Sequence, residues 1–379
     1  MIFQNARIFT SAGFVRGGFC VEDGRFAEVF TGEREGGIDL GGATVIPGLV
    51  DIHTHGAMGA DFSDGDPAGL RHMAAHLAAV GVTSFAPTSM TLPYETLSAA
   101  FAVAADFHAL RPEGCARVMG IHMEGPFFSE KKKGAQNGAY LKNPDFAAFR
   151  ALYEGCGGLV RIVDLAPELP GAADFAARAK ALCTVSIAHT DASYEDAKAV
   201  YEAGASHLTH LYNAMPPIHH RKPGVIGAAS EREDVMAELI CDGLHVHPSA
   251  VRMAFRLFPG RVCLISDSLR CCGMPDGEYE LGGQQVFLSG GVARLADGTI
   301  AGAASDLYAD MLNAIAFGIP CDEAIRAATI RPAREIGCES EIGSIEPGKL
   351  ADFVVCDGEL HPLSVYIGGE KIKGKERKQ

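Results

Sequence analysis

The stretch "PGLVDIHTHG", Pro47 to Gly56, runs from apolar residues into an aspartate and then sets two histidines one residue apart. Side chains two apart on a β-strand point to the same side, so Asp51, His53 and His55 form one row on a strand otherwise built for burial. Imidazoles at the end of a buried strand need partners, and the segments that follow show where those partners come from.

Seven more segments have the same character: "TSFAPTS" (83–89), "VMGIHMEG" (118–125), "VRIVDLAPE" (160–168), "TVSIAHT" (184–190), "HLTHLYN" (207–213), "MAELICDG" (236–243) and "RVCLISDS" (261–268). Near-continuous apolar runs mark parallel strands covered on both faces. Between them, stretches such as "GDPAGLRHMAAHLAAVG" (65–81) and "SYEDAKAVYEAGA" (193–205) place apolar residues at helical spacing between a polar start and a glycine stop. Strand and helix alternate, so the fold class is α/β, and eight such units in roughly 300 residues predict a (β/α)8 barrel. The chain ends differ. Residues 1–46 and 346–379 read as short strands with Gly-rich turns, predicting a small β-sandwich domain built from both ends around a barrel at 47–345. The last residues, "KGKERKQ", read as a frayed tail.

Composition narrows the function. A chain of 379 residues, 47% hydrophobic and 21% charged, can bury a sizeable core. Its formal net charge of −14 argues against nucleic acid or an anionic membrane as partner. The N-terminus lacks a basic start followed by an apolar run, and no segment reaches the roughly 20 apolar residues of a membrane helix, so a soluble, cytoplasmic protein is expected. Eleven cysteines without framework spacing fit a reducing compartment, with Cys271 and Cys272 as ordinary loop thiols. Lys131 to Lys133 and the pair Arg221 and Lys222 are the local cations an anionic substrate would need.

Polar residues that close different barrel strands converge on one mouth. Here the first strand ends in His53 and His55, the third in His122 and Glu124, the fifth in His189, the sixth in His207 and His210, the seventh in Asp242 and His245, and the eighth in Asp267. Six strands ending this way are hard to explain structurally, because so many buried polar groups would need partners. Imidazole with carboxylate is a ligand set for zinc or ferrous iron. A metal lowers the pKa of a bound water from 15.7 toward about 7, and Asp267 beside it would take and return the proton.

The "HTH" of the first strand, the barrel and the aspartate of the eighth strand resemble the amidohydrolase superfamily. Within it, "HMEGPFFSEKKKGAQN", "AHTDASYEDA", "THLYNAMPPIHHRKPG", "ICDGLHVHP" and "GTIAGAASDL" resemble N-acetylglucosamine-6-phosphate deacetylases, from about Pro47 to Leu350. The resemblance implies hydrolysis of the N-acetyl group of an amino-sugar phosphate, with Glu124, His189 and His210 as ligands of the principal metal. Because His53 and His55 are kept, it also implies a second ion bridged by Glu124, so one or two ions, zinc in the first place and iron as the alternative. It makes Asp267 the general base and acid. It assigns the substrate to Ala135, Gln136, Asn213, Ala214, Asp242, His245, Ile300, Ala301 and Gly302, and has Arg221 reach the neighbouring subunit's substrate in a homodimer.

Two positions depart from the family. Gln136 stands where a histidine usually polarises the acetyl carbonyl; an amide can donate to a developing oxyanion but carries no charge. Ser268 makes "SDS" of the more usual "SDA". His72, His76 and His108 read as surface residues, whereas His219 and His220 flank Arg221 in its loop. The alternatives to this reading are a paralogue acting on another N-acyl sugar, such as N-acetylgalactosamine 6-phosphate, and an inactive barrel that binds sugar phosphate.

Overall fold

A computed structural model describes residues 1–32 and 34–372; the expected tail at 373–379 lies outside them. Eight parallel strands form the barrel in sequence order: Leu49–Thr54, Val82–Ser89, Ile121–Phe127, Val160–Leu165, Thr184–Ile187, His207–Leu208, Met236–Ile240 and Val262–Ile265. Each pairs in parallel with the next. The seam closes beyond the eighth strand, where Asp267 N donates to His53 O at 2.9 Å and His55 N donates to Ser268 O at 2.9 Å. The residue after "SD" therefore matters structurally. Buried Ser268 Oγ bonds Thr54 Oγ1 at 2.8 Å and donates to Gly56 O at 2.9 Å, which ties the first strand to the last.

The helices bury their apolar stripes against the outside of this barrel. Pro67–Ala79 starts on Asp66, whose side chain accepts from the Ala68 and Gly69 amides, and it buries Leu70, Met73, Ala74 and Leu77. Tyr194–Ala203 starts with a reciprocal capping box between Ser193 and Asp196. His108, in Tyr94–Leu110, is half-buried rather than a free surface residue: its Nδ1 donates to Val118 O at 2.6 Å. His72 is exposed and His76 half-buried.

Strands from both chain ends form one eight-stranded sheet, with Phe353–Cys356 lying antiparallel to Thr44–Pro47. Phe3, Phe19, Phe26 and Phe353 share its core. Phe26 and Phe353 meet at 6.1 Å although four strand positions separate them, so the sheet curls over onto itself. A third sheet escapes the barrel pattern: Gly277–Leu281, Gln284–Ser289, Val292–Leu295 and Ile300–Ala303 form an antiparallel meander after the eighth strand. Its turns at Gly282-Gly283 and Gly290-Gly291, all with positive φ, are hairpin signals that the search for barrel units passes over.

Candidate active site

Six of the residues expected at the mouth meet there. Glu124 lies at the centre: its Oε1 is 3.1 Å from His189 Nε2, 3.2 Å from His210 Nε2 and 3.6 Å from His53 Nε2, and its Oε2 is 3.3 Å from His55 Nε2. Asp267 Oδ1 stands at the rim, 3.5 Å from His53 Nε2 and 3.3 Å from His55 Nε2. All six are buried except Asp267, whose side chain is 14% exposed. Burial works against the Glu124 charge, but the imidazoles of His189, His210 and His55 outweigh it and hold the carboxyl well below its usual range. Burial likewise raises and His53 and His55 lower the Asp267 pKa; the net direction is down, so Asp267 is ionised at neutral pH.

The donor set fits a divalent cation. His53 Nδ1 donates to Glu238 Oε2 at 2.8 Å, His55 Nδ1 to Thr88 O at 3.1 Å and His189 Nδ1 to Lys132 O at 2.9 Å. These acceptors take the Nδ1 hydrogens and leave each Nε2 facing the centre, where it would serve as the ligand atom when an ion is bound. His53 Nε2 is buried without a hydrogen-bond partner among the described residues. The Nε2 atoms of His189 and His210 lie 3.0 Å apart, where two N–H groups cannot face each other. Two overlapping groups result at the mouth, Glu124 with His189 and His210, and Glu124 with His53 and His55, and a third, His53 with His122 and Glu238, lies beneath them; in each the ligand atoms are within 4.8 Å of one another. Such spacing suits ligands bound at about 2.0–2.2 Å to one small ion.

The backbone is held in strained conformations to achieve this. His189, His210 and Asp267 have φ of 44°, 30° and 50°, in the left-handed region that costs a non-glycine residue about 1–3 kcal/mol. Ser129 N to His189 O at 3.0 Å, His210 N to Glu238 Oε2 at 3.2 Å and Ala303 N to Asp267 O at 2.9 Å hold them there. Strain placed on three convergent polar residues is characteristic of a functional site.

The sequence model of the amidohydrolase family matches residues 44–375. The chain belongs to the amidohydrolase family. It is 34% identical over 395 residues to the N-acetylglucosamine-6-phosphate deacetylase of Bacillus subtilis (strain 168), covering 100% of this chain and 99% of the relative. It is 36% identical over 326 residues to the N-acetylgalactosamine-6-phosphate deacetylase of Escherichia coli O157:H7, covering 86% of each. A solved structure of a variant N-acetyl-D-glucosamine-6-phosphate deacetylase from Mycobacterium smegmatis, in complex with N-acetyl-D-glucosamine-6-phosphate, superposes with a TM-score of 0.92 at 32% identity, over 98% of this chain and 99% of that one. The resemblance read from the sequence motifs thus extends over nearly the whole chain.

Other expected residues of this amidohydrolase are spread around the mouth. Asp242 Oδ2 lies 2.6 Å from His245 Nδ1, and Asp242 Oδ1 caps the Leu244 and His245 amides. Asn213 and Ala214 follow His210, Ala214 with φ of 52°. Ile300, Ala301 and Gly302 belong to the last meander strand; a Cβ on Gly302 would lie 2.8 Å from the Leu269 side chain and 3.2 Å from Asp267 O, so the close approach needs glycine. Gln136 is buried, accepts from Thr91 N at 2.7 Å and donates through Nε2 to Glu124 Oε2 at 2.5 Å. Ala135 beside it is held by Gln284 Nε2, which donates to its carbonyl from the meander. Arg221 is exposed, as are His219 and His220, and among the described residues it forms no ion pair. Lys131 pairs with Asp191 at 3.2 Å and Lys133 with Glu130 at 3.0 Å, so this run contributes to the site through the Lys132 carbonyl.

His122, His207 and Asp51 do not reach the mouth. They lie one layer lower, where His122 Nε2 meets Asp164 Oδ1 at 3.0 Å, His207 Nε2 meets Glu238 Oε1 at 3.1 Å and Asp51 Oδ2 accepts from Ser266 Oγ at 2.6 Å. The sequence reading also passed over Asp164 and Glu238. Each is a single carboxylate inside an apolar strand, "VRIVDL" and "MAELI", and that isolation was the available signal.

Proposed function

We propose that this chain is a divalent-metal-dependent deacetylase that converts N-acetylglucosamine 6-phosphate to glucosamine 6-phosphate and acetate. The observation that carries the reading is the convergence of His53, His55, Glu124, His189 and His210 with Asp267 at the rim. A cation held by those five side chains, zinc in first place, supplies Lewis-acid polarisation of the acetamide carbonyl and acidifies water. The presence of both strand-one histidines supports a second ion, and Glu124, common to both ligand groups, would help to hold each of them. Asp267, ionised and partly exposed, takes the proton of the attacking water and hands it to the departing amine. Gln136 commits one amide hydrogen to Glu124 and keeps the other for the acetyl oxygen.

The same proposal gives the sugar phosphate to Ala135, the backbone of Asn213 and Ala214, the hydrogen-bonded pair Asp242 and His245, and the strand Ile300 to Gly302. Arg221, exposed and without an ion-pair partner among the described residues, is available to grip phosphate in a neighbouring subunit, which makes the working form a homodimer. A reducing, cytoplasmic setting is supported by the cysteines, eight of eleven buried as small apolar side chains.

The relative named for N-acetylgalactosamine 6-phosphate favours a second reading in which the sugar epimer differs. Acetate release from both 6-phosphates and from unphosphorylated N-acetylglucosamine, measured side by side on metal-analysed protein, separates them. Faster release from N-acetylglucosamine 6-phosphate is expected. Preference for the galactosamine epimer would install the second reading, and no release from any of them with metal bound would overturn both.

A further inference from the structure

The mechanism above gives Glu238 no part in the reaction, although it is fully buried beneath the mouth and touches two of the proposed ligands. Its Oε2 accepts from His53 Nδ1 at 2.8 Å and from His210 N at 3.2 Å, and its Oε1 accepts from His207 Nε2 at 3.1 Å and lies 3.7 Å from His122 Nδ1. His207 Nδ1 is in turn 3.1 Å from Glu335 Oε1, in the helix Ile330–Glu335. Every neighbour is a donor, so only a carboxylate, with acceptors on both oxygens, satisfies the position.

The two contacts of Oε2 are the important ones, because they belong to different candidate ion positions. His53 lies with His55 and Glu124, and His210 with His189 and Glu124. Glu124 joins the two groups from above through its side chain. Glu238 joins them from below, through the ring of one histidine and the strained backbone of the other. We propose that Glu238 is a positioning residue that sets the His53 tautomer and ring direction and fixes His210 in register with it, so that both ion positions share one support. The inference rests on the two-ion reading given above.

Glutamine cannot replace this carboxylate. With its amide nitrogen toward His53, N–H meets N–H, and the ring must take the other tautomer and aim Nε2–H at the ion position. With the nitrogen toward His207, the oxygen left to His53 is neutral, and the imidazole becomes a weaker ligand. Glu238→Asp keeps the charge and withdraws the carboxylate by one methylene, and it serves where Glu238→Gln fails to fold. Asp164→Asn is the control. Asp164 is equally buried and paired with an imidazole, but it touches none of the proposed ligands.

The test is the number and affinity of bound zinc ions, measured against a competing chelator for wild type and the three variants, with folding checked by circular dichroism. Glu238→Gln should weaken one ion about 10-fold to 100-fold, Glu238→Asp should weaken the same ion less, and Asp164→Asn should leave both within a few fold of wild type. The inference is overturned if the Glu238 variants hold both ions as tightly as wild type, if Asp164→Asn loses as much as Glu238→Gln, or if wild type holds a single ion. Wild type that binds no zinc yet deacetylates would instead contradict the metal reading itself, a separate outcome.

Discussion

At the mouth of the barrel four imidazoles crowd around two carboxylates, whereas one layer down two imidazoles, His122 and His207, share three, Asp164, Glu238 and Glu335. Both layers are buried and use the same residue types. In the lower layer each ring nitrogen faces an oxygen: His122 bonds Asp164 and the Ile52 carbonyl, and His207 bonds Glu238 through Nε2 and lies within ion-pair distance of Glu335 through Nδ1. Burial works against their charge, but the carboxylates on these rings raise the pKa of both and favour the doubly protonated form, a poor metal ligand, although His122 with His53 and Glu238 is also spaced like a ligand set. At the mouth His53, His55 and His189 each spend one nitrogen on an outer acceptor and turn the other inward, where acceptors are too few. A buried histidine is thus sorted by the balance of acceptors around it, and its presence in a strand does not decide the matter.

The largest expected contrast comes from changing one carboxylate in each layer to its amide. Asp267→Asn should lower the rate of acetate release by about 10²–10⁴-fold while leaving metal bound. Asp164→Asn should leave turnover within a few fold but cost about 3 kcal/mol of stability by urea denaturation, since it breaks a buried charged pair. Equal loss of turnover in the two variants would erase the distinction between layers.

A smaller effect sharpens the lower layer. Burial works against the His207 charge, but Glu335 and Glu238 outweigh it and push its pKa up to about 10 from 6.5. A raised folded pKa gives stability that is fully present below the unfolded value and lost as pH rises through the folded one. Unfolding free energy should therefore decline between about pH 6.5 and 10 through this residue, and His207→Gln should flatten the profile across that window. An unchanged slope would mean that His207 is not charged in the folded protein.

The barrel was legible because its strands are apolar runs with polar ends, and the first of them, "LVDIHT", carries its ligands in the last residues. The mouth was legible for His53, His55, Glu124, His189, His210 and Asp267 for the same reason. Depth was not. His122 sits two residues before Glu124 and shares its inward face, but its layer depends on how neighbouring strands are staggered around the barrel, which one strand's own sequence does not carry. Glu238 and Asp164 were hidden in the same way, as were the acceptors Thr88 O and Lys132 O, because a backbone carbonyl has no sequence signature. The meander at 277–303 was not anticipated, although its Gly-Gly turns carried the signal, and it matters because Gln284 holds the segment that bears Gln136.

The most direct test of the difference between the layers is the zinc content of Glu124→Gln set beside that of Asp164→Asn, each dialysed with wild type against the same free-metal buffer. Glu124 touches all four mouth imidazoles and Asp164 none of them. The expected result is that Glu124→Gln loses its zinc and Asp164→Asn retains the wild-type amount. Retention in Glu124→Gln with loss in Asp164→Asn would put the metal in the lower layer and contradict the assignment of the mouth as its site.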